Sequence, residues 1–242
     1  MDRRFFIRGS IAGLTGITWR HSSAVAARLR DNIELRLALL PVSDALRAGI
    51  TFGVQEARHA ARLFDASVVL RTFAADDING VVDERCTIVI SENISDAIAR
   101  AAADGAVLVL NAGTAMRCGP LLFHLARVRS SGELVWHHDL ERFGAAQLNA
   151  RYEAVAGSAM NDAAWLGWMA VKVAWESCVR ARSEEPRAIA EYLVRDTTVF
   201  DGHKGRPLRF DPATRVLDQP YYRNGDLEPV NETTASKGAC ET

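Results

Sequence analysis

Hydrophobic residues occur along the chain in two patterns, as short β-branched or leucine-rich runs and as longer stretches with a helical period. The runs predict buried strands over residues 34–40, 67–73, 86–90 and 106–110. Between the first two runs, apolar residues recur every three or four positions and predict an amphipathic helix over residues 45–64. This order of strand, helix and strand predicts an α/β fold with a parallel sheet and right-handed crossovers.

The stretch from Cys86 to Thr114 contains a strand, a loop, a helix and a second strand. Ser95 is placed to cap a helix over residues 96–104, and Gly105 is placed to end it. Both strands of this unit end in polar or small residues. In open α/β sheets ligands bind at the carboxyl ends of the strands, so we expect binding residues in these two loops.

The later part of the chain is predicted to be mainly helical, with helices over residues 136–156, 161–182 and 185–195. An apolar run over residues 121–126 predicts another strand before them. The second of these helices contains three tryptophans: Trp165, Trp168 and Trp175. They can form a cofactor box or an aromatic helix face packed on the sheet, and we favour the packed face.

The connection over residues 74–85 is about as short as a parallel crossover allows, so no full helix is expected there. Asp76 and Asp77 follow the second strand, where a carboxylate can hold a ribose, but solvated loop carboxylates are the favoured interpretation. No glycine-rich turn follows the first strand, which argues against a dinucleotide.

The first residues resemble an export signal. Arg3 and Arg4 are followed by a mild apolar stretch, and Ala24-Val25-Ala26 is typical of a cleavage site. We expect a Tat signal over residues 1–26 and a periplasmic location; the alternative is an ordinary amphipathic N-terminal helix. The apolar stretch is shorter than the roughly 20 residues that a membrane span needs, so an integral membrane protein is not expected. The polar residues 224–242 are predicted to be disordered.

Composition excludes further classes of function. The chain has 242 residues, a net charge of −1 and no basic patch interleaved with aromatic residues, which argues against nucleic-acid binding.

The chain has four cysteines and no C-x-x-C spacing. Since export permits disulfides, a bridge between Cys86 and Cys118 is possible, whereas Cys178 is expected to be a small buried residue.

The sequence shows no convincing catalytic or metal-binding constellation. His137, His138 and Asp139, with Glu141 nearby, fall in the predicted helix, where adjacent histidines point about 100° apart, so no metal site is expected. A nucleophile elbow of the G-x-S-x-G type is missing. His203 is expected to be a turn residue. We therefore predict a protein that is not an enzyme, with no catalytic residues and no cofactor.

Several segments resemble the type I periplasmic ligand-binding proteins of ABC transporters, of the branched-chain amino acid type. The matching segments are Leu40–Ser43, the loop Asn111–Thr114, and Phe200–Gly205 followed by Phe210-Asp211. Residues 136–175 look similar to a subgroup found with pyrroloquinoline-quinone (PQQ) dependent alcohol dehydrogenases. The resemblance implies a three-layer lobe with a parallel sheet, a small-molecule ligand and an ABC permease or quinoprotein dehydrogenase as partner.

The resemblance also implies ligand-binding positions. In the family, the loops after the third and fourth strands of the first lobe hold the ligand's carboxylate and ammonium groups. The corresponding residues here are these five: Ser91, Asn93, Ser95, Ala112 and Thr114. A helix N-terminus beside Ser95 suits a carboxylate. The alternative is that these residues are only caps and turn residues.

The chain departs from the family between Ala126 and Trp136, where about ten residues replace the insertion that forms the second lobe. The resemblance therefore implies a single truncated lobe over residues 27–223. The leading hypothesis is an exported solute-binding protein for an amino-acid-like molecule or small carboxylate. The alternative is a periplasmic accessory or scaffold protein of a PQQ-dependent alcohol dehydrogenase system.

Overall fold

A computed structural model describes residues 33–223, and the predicted export signal and C-terminal tail lie outside that range. Five parallel strands form the central sheet in the order β2-β1-β3-β4-β5. Their bounds are Glu34–Leu39 (β1), Ser67–Thr72 (β2), Ile88–Ser91 (β3), Leu108–Asn111 (β4) and Leu122–His124 (β5). The α/β prediction is confirmed.

Helices cover the sheet, and their bounds are Asp44–Ala61 (α1), Ile78–Asp83 (α2), Asp96–Ala103 (α3), Ala145–Ala156 (α4), Asp162–Ala181 (α5) and Pro186–Leu193 (α6). From β1 to β2 the chain moves across the sheet in one direction, and from β2 through β3 to β4 it moves in the other direction. Because such crossovers are right-handed, α1 lies on one face of the sheet and α2 and α3 lie on the other. Helices α4 and α5 pack against α1. The lobe therefore has three layers, which are the helices around α1, the sheet, and the helices α2 and α3.

The described part of the chain ends in short antiparallel strands that hydrophobic periodicity does not predict. Strands β7 (Phe200–Asp201), β8 (Pro207–Phe210) and β9 (Leu217–Asp218) form one small sheet. Strand β10 (Tyr222–Arg223) returns to pair with β6 (Glu133–Leu134). The short segment after β5 is thereby joined to the end of the described chain.

A buried lysine holds this last segment to the rest of the lobe. The Nζ atom of Lys204 donates to Oε1 of Gln219 at 2.6 Å and to the carbonyl of Pro220 at 3.1 Å, and it lies 4.0 Å from the centre of the Trp165 ring. Gln219 in turn donates to the carbonyl of Leu125, directly after β5. Burial lowers the pKa of Lys204 well below its usual value.

The connection after β2 contains only the six-residue helix α2, in agreement with the prediction that no full helix lies there, and Asp77 caps it by accepting from the amide of Gly80 at 3.0 Å. One helix prediction differs from the structure. The predicted helix over residues 136–156 begins only at Ala145, because Phe143 and Gly144 have φ values of 59° and 82°. These left-handed conformations break the helix, and residues before them form turns.

The proposed bridge between Cys86 and Cys118 is wrong. The thiol of Cys86 is free and buried, whereas Cys118 is disulfide-bonded to another residue. Cys86 precedes β3 at the amino end of the sheet. Arg117, beside Cys118, contacts Asp96 and the ring of His124, which both lie at the carboxyl end. The two cysteines are therefore separated by roughly the length of a strand, which is more than a disulfide can span.

Helices α1 and α5 approach each other at glycines. A Cβ atom at Gly49 would lie 1.9 Å from the carbonyl oxygen of Ala164, and one at Gly167 would lie 2.3 Å from that of Leu46.

The three tryptophans of α5 are buried as predicted. Trp165 contacts the C-terminal segment, and Trp168 contacts α1. Within residues 33–223, no helix is long and apolar enough to cross a membrane.

We predict that Gly49→Ala lowers the melting temperature. Alanine normally stabilises a helix by about 1 kcal/mol relative to glycine. Here its methyl group must displace the backbone of α5 and not a flexible side chain, so the cost lies at the upper end of the about 1–3 kcal/mol typical of overpacking and exceeds that gain. The expected loss is about 2–4 °C per kcal/mol in a thermal melt.

Thr51→Ala is the matched control, since Thr51 is exposed on the same helix. This variant should melt at or above the wild-type temperature. A Gly49→Ala variant that melts as high as Thr51→Ala would contradict the backbone contact between the two helices.

Candidate functional site

The site that the sequence predicts lies at the carboxyl edge of the sheet. With the strand order β2-β1-β3-β4-β5, connections leave in opposite directions from β1 and β3. Such a switch point opens a crevice between the two strand ends, where ligands bind in open α/β sheets. The loops that follow β1, β3 and β4 meet at this crevice, because their strands are neighbours in register.

A carboxylate of the protein occupies the crevice beside the start of α1. Glu92 accepts a hydrogen bond from the amide of Ser43 at 2.6 Å and one from its hydroxyl at 2.7 Å. Ser43 is the N-cap of α1. Since a helix N-terminus carries partial positive charge, Glu92 fills the position where an anionic ligand would otherwise be stabilised.

Sequence reasoning missed Glu92 and Ser43 as site residues. The signals were an acidic residue directly after a buried strand and a serine directly before a helix. Both patterns are common caps and turns, and their pairing across 49 positions is visible only in the fold.

The predicted residues of the β3–α3 loop have different roles. Ser91 is only 2% exposed, and its hydroxyl accepts from the amide of Asn93 at 3.0 Å and also donates to the Asn93 carbonyl. Ser95 caps α3 by accepting from the amide of Ile98 at 3.3 Å. Asn93 is exposed. The two serines therefore shape the loop, and Asn93 is the residue that faces solvent.

The predicted residues of the β4–β5 loop are adjacent to this first loop. The amide of Ala112 donates to the carbonyl of Ser91 at 2.9 Å. A Cβ atom at Gly113 would lie 1.8 Å from the carbonyl oxygen of Glu92, so the two loops are in backbone contact. Ala112 is buried and Thr114 is exposed. The structure thus brings all five predicted residues to one edge, with Asn93 and Thr114 on its surface.

A buried amide and a buried histidine fix the β4–β5 loop. The Asn111 side chain accepts from the amide of Gly113 at 3.0 Å and donates to the carbonyl of Ala115 at 2.8 Å. Its remaining N–H points to Nδ1 of His124 at 3.0 Å, so Nε2 of His124 carries the proton and donates to the carbonyl of Arg117 at 2.8 Å. This arrangement requires a neutral imidazole.

The edge also carries an exposed ion pair. The guanidinium of Arg117 lies 2.7 Å from the carboxylate of Asp96 in the first turn of α3. The hydrogen bond from Arg117 lowers the pKa of Asp96. The carboxyl edge therefore presents an ion pair near the α3 N-terminus and the carboxylate of Glu92 near the α1 N-terminus.

Two surface depressions of the described chain lie away from these loops. One of about 190 Å³ runs between α1 and α5 and is lined by Gly53, Trp168 and Trp175. The other, of about 350 Å³, is lined by residues near Phe143 and Phe200. Neither includes a residue of the three loops at the carboxyl edge.

We predict that His124 makes the stability of the protein fall at acidic pH. Burial lowers the pKa of His124 below its usual value of 6.5. Below that pH the unfolded chain binds a proton that the folded chain does not, so unfolding becomes more favourable. The melting temperature should therefore fall between pH 7.5 and 5.5, and it should fall less in His124→Gln. His59→Gln, at an exposed histidine, should follow the wild-type profile; His124→Gln with that same profile would refute the neutral, buried imidazole.

Comparison with known proteins gives structural neighbours only. No protein-family model matches the chain, and no curated protein matches it. Among solved structures, an ABC transporter substrate-binding protein from Sphaerobacter thermophilus has a TM-score of 0.60 and 10% identity, over 81% of this chain and 98% of that one.

Two further structures match in part. A branched-chain amino acid ABC transporter periplasmic ligand-binding protein from Burkholderia xenovorans LB400 has 15% identity and a TM-score of 0.33, over 82% of this chain. An ABC-type branched-chain amino acid transporter from Rhodopseudomonas palustris CGA009 has 13% identity and a TM-score of 0.34, over 85% of this chain. The chain spans 55% and 61% of the lengths of these two proteins. Because their TM-scores are this low, neither structure supports an argument about this chain. The likeness to the Sphaerobacter thermophilus protein shows the fold alone, which is an α/β fold with a parallel sheet.

Proposed function

We propose that the protein is an exported solute-binding protein of an ABC transporter and binds a small polar molecule at the carboxyl edge of its sheet. The observation that carries this proposal is the backbone contact between the loops after β3 and β4, at Glu92 and Gly113. The proposal is further supported by the exposure of Asn93 and Thr114, whose loops lie beside the switch point of the sheet. The fold shared with the Sphaerobacter thermophilus protein supports this role.

The charges at the edge favour an amino-acid-like ligand. The carboxylate of Glu92 has lone pairs beyond the two hydrogen bonds that it accepts from Ser43, so it can also accept from an ammonium group. A ligand carboxylate is favoured by the partial positive charge of the α3 N-terminus, and the guanidinium of Arg117, which is paired with Asp96, has further N–H groups that can donate to it. The ammonium group and the carboxylate of an amino acid then each have a partner on the protein, whereas a simple carboxylate uses only the α3 N-terminus.

The proposed cellular setting is supported by the N-terminal sequence. The Arg3-Arg4 pair and the Ala24-Val25-Ala26 site support export by the Tat route to the periplasm. There the protein would deliver its ligand to an ABC permease.

A second candidate function is that of an accessory protein of a PQQ-dependent alcohol dehydrogenase. It is supported by two adjacent apolar side chains beside the α1–α5 depression. Leu63 is 78% exposed and Phe64 is 61% exposed, and the Phe64 ring lies 6.4 Å from that of Trp175. Contiguous exposed apolar patches mark contact surfaces between proteins when they are large, and these two neighbouring side chains would form part of such a patch.

We predict that an amino acid raises the melting temperature of the full-length chain in a thermal-shift screen. The screen compares amino acids, simple amines and short carboxylates. A ligand at 100 times its dissociation constant stabilises a protein by about 2.7 kcal/mol. Thr114→Ala should abolish the shift, and Thr197→Ala, at an exposed threonine in the turn after α6, should keep it.

If no small molecule shifts the melting temperature, the solute-binding proposal fails. Binding of a quinoprotein dehydrogenase that Phe64→Ser abolishes would then establish the second candidate.

We also predict that Glu92→Gln weakens binding of amino acids and amines more than binding of short carboxylates. Glutamine keeps an acceptor for Ser43 but removes the negative charge that attracts an ammonium group. Isothermal titration of each ligand class measures the difference. Equal loss of affinity for amines and carboxylates would show that Glu92 acts only by holding Ser43 at the start of α1.

A further inference from the structure

A compact group of metal-binding side chains lies in the turn before α4. We call residues 137–139 the His turn; it contains His137, His138 and Asp139. Each side chain offers one donor atom, and these three atoms lie within 4.8 Å of one another. The two imidazole rings are stacked, with centres 4.5 Å apart and planes at 20°.

The prediction that these side chains diverge assumed a helix. Residues 137–139 instead form a turn, since the helix begins only at Ala145. The turn brings both imidazoles to the same carboxylate. Nε2 of His138 lies 3.3 Å from one oxygen of Asp139, and Nδ1 of His137 lies 3.7 Å from the other.

The backbone of the His turn is held in place by Asn149 of α4. Its amide group donates to the carbonyl of His138 at 2.6 Å, and its Oδ1 accepts from the indole N–H of Trp136 at 2.8 Å. Trp136 is 2% exposed and stacks on Trp165 at 5.9 Å. Because the backbone is already ordered, ligand binding does not have to order it.

We propose that the His turn binds a late first-row divalent cation such as Zn²⁺, Ni²⁺ or Cu²⁺. Two imidazoles and one carboxylate form a donor set that these ions accept. Metal–ligand distances of about 2.0–2.1 Å place tetrahedral donors roughly 3.3–3.5 Å apart. The 3.3 and 3.7 Å separations at Asp139 already lie close to that spacing.

Binding requires only side-chain rotation. The lone pairs of two nearly parallel rings do not converge, so one ring must turn about χ2. The side chain of His138 is 53% exposed and can rotate into solvent, and the χ2 torsion of histidine is broad. A metal on Nδ1 of His137 replaces the hydrogen bond that this atom accepts from the amide of Asp139. Water completes the coordination.

The test is titration of the full-length chain, prepared without a histidine tag and stripped with a chelator, with ZnCl₂ in a calorimeter. We expect one Zn²⁺ ion per chain. His138→Gln and Asp139→Asn should each raise the dissociation constant at least tenfold, since each removes a ligand. Asn149→Ala should raise it roughly tenfold, which is typical for a residue that orients the ligands.

His59→Gln is the control, because His59 is an exposed histidine on α1 and should leave the affinity unchanged. Electron paramagnetic resonance of the Cu²⁺ form should show two coordinating nitrogens in the wild type and one in His138→Gln. His138 and Asp139 are exposed, so their variants do not depend on a change in the core. Absence of stoichiometric binding, or wild-type affinity in the His137→Gln/His138→Gln double variant, would overturn the proposal.

Discussion

The close contact between α1 and α5 is the constraint on which the rest of the lobe depends. Gly49 lies against the backbone of Ala164, and Gly167 lies against the backbone of Leu46. Helix α1 comes from the first βα unit and α5 from the last third of the chain, so this contact joins distant segments into one core. It also fixes the α1 N-terminus, which receives the carboxylate of Glu92.

The same contact connects the two surfaces to which we assign binding. Helix α5 carries Trp165, on which Trp136 stacks directly before the His turn. The ring of Trp165 also contacts the ammonium group of Lys204, which holds the C-terminal segment near the end of β5. The carboxyl edge and the His turn are thus supported by one set of buried aromatic and polar contacts. Burial of Lys204 is tolerated because its N–H groups meet carbonyl oxygens and a ring face.

Local patterns were sufficient to predict most of the sheet and the main helices. Strands β3 and β4 are buried along their whole length and β1 is buried from Leu37 onward, because both faces of the sheet are covered, and α1 shows a clear helical period. The loops after β3 and β4 were expected at the carboxyl edge of the sheet, and the structure shows that they are also in contact, because the two strands are neighbours.

What the sequence did not reveal depends on conformation or on distant contacts. The start of α4 was wrong because Phe143 adopts a left-handed conformation that side chains rarely take. The bridge between Cys86 and Cys118 was wrong because spacing along the chain does not say at which end of the sheet a cysteine lies. The pairing of Glu92 with Ser43 is a contact between separate loops, which periodicity does not report.

The central claim is that solute binds at the carboxyl edge of a single lobe. Backbone amide NMR tests it most directly, by adding a stabilising amino acid stepwise and following every assigned resonance. The account predicts that the amides of Asn93, Gly113 and Thr114 shift together and saturate with one dissociation constant. Shifts confined to the α1–α5 depression around Gly53 and Trp175, with the amides at the carboxyl edge unmoved, would contradict it.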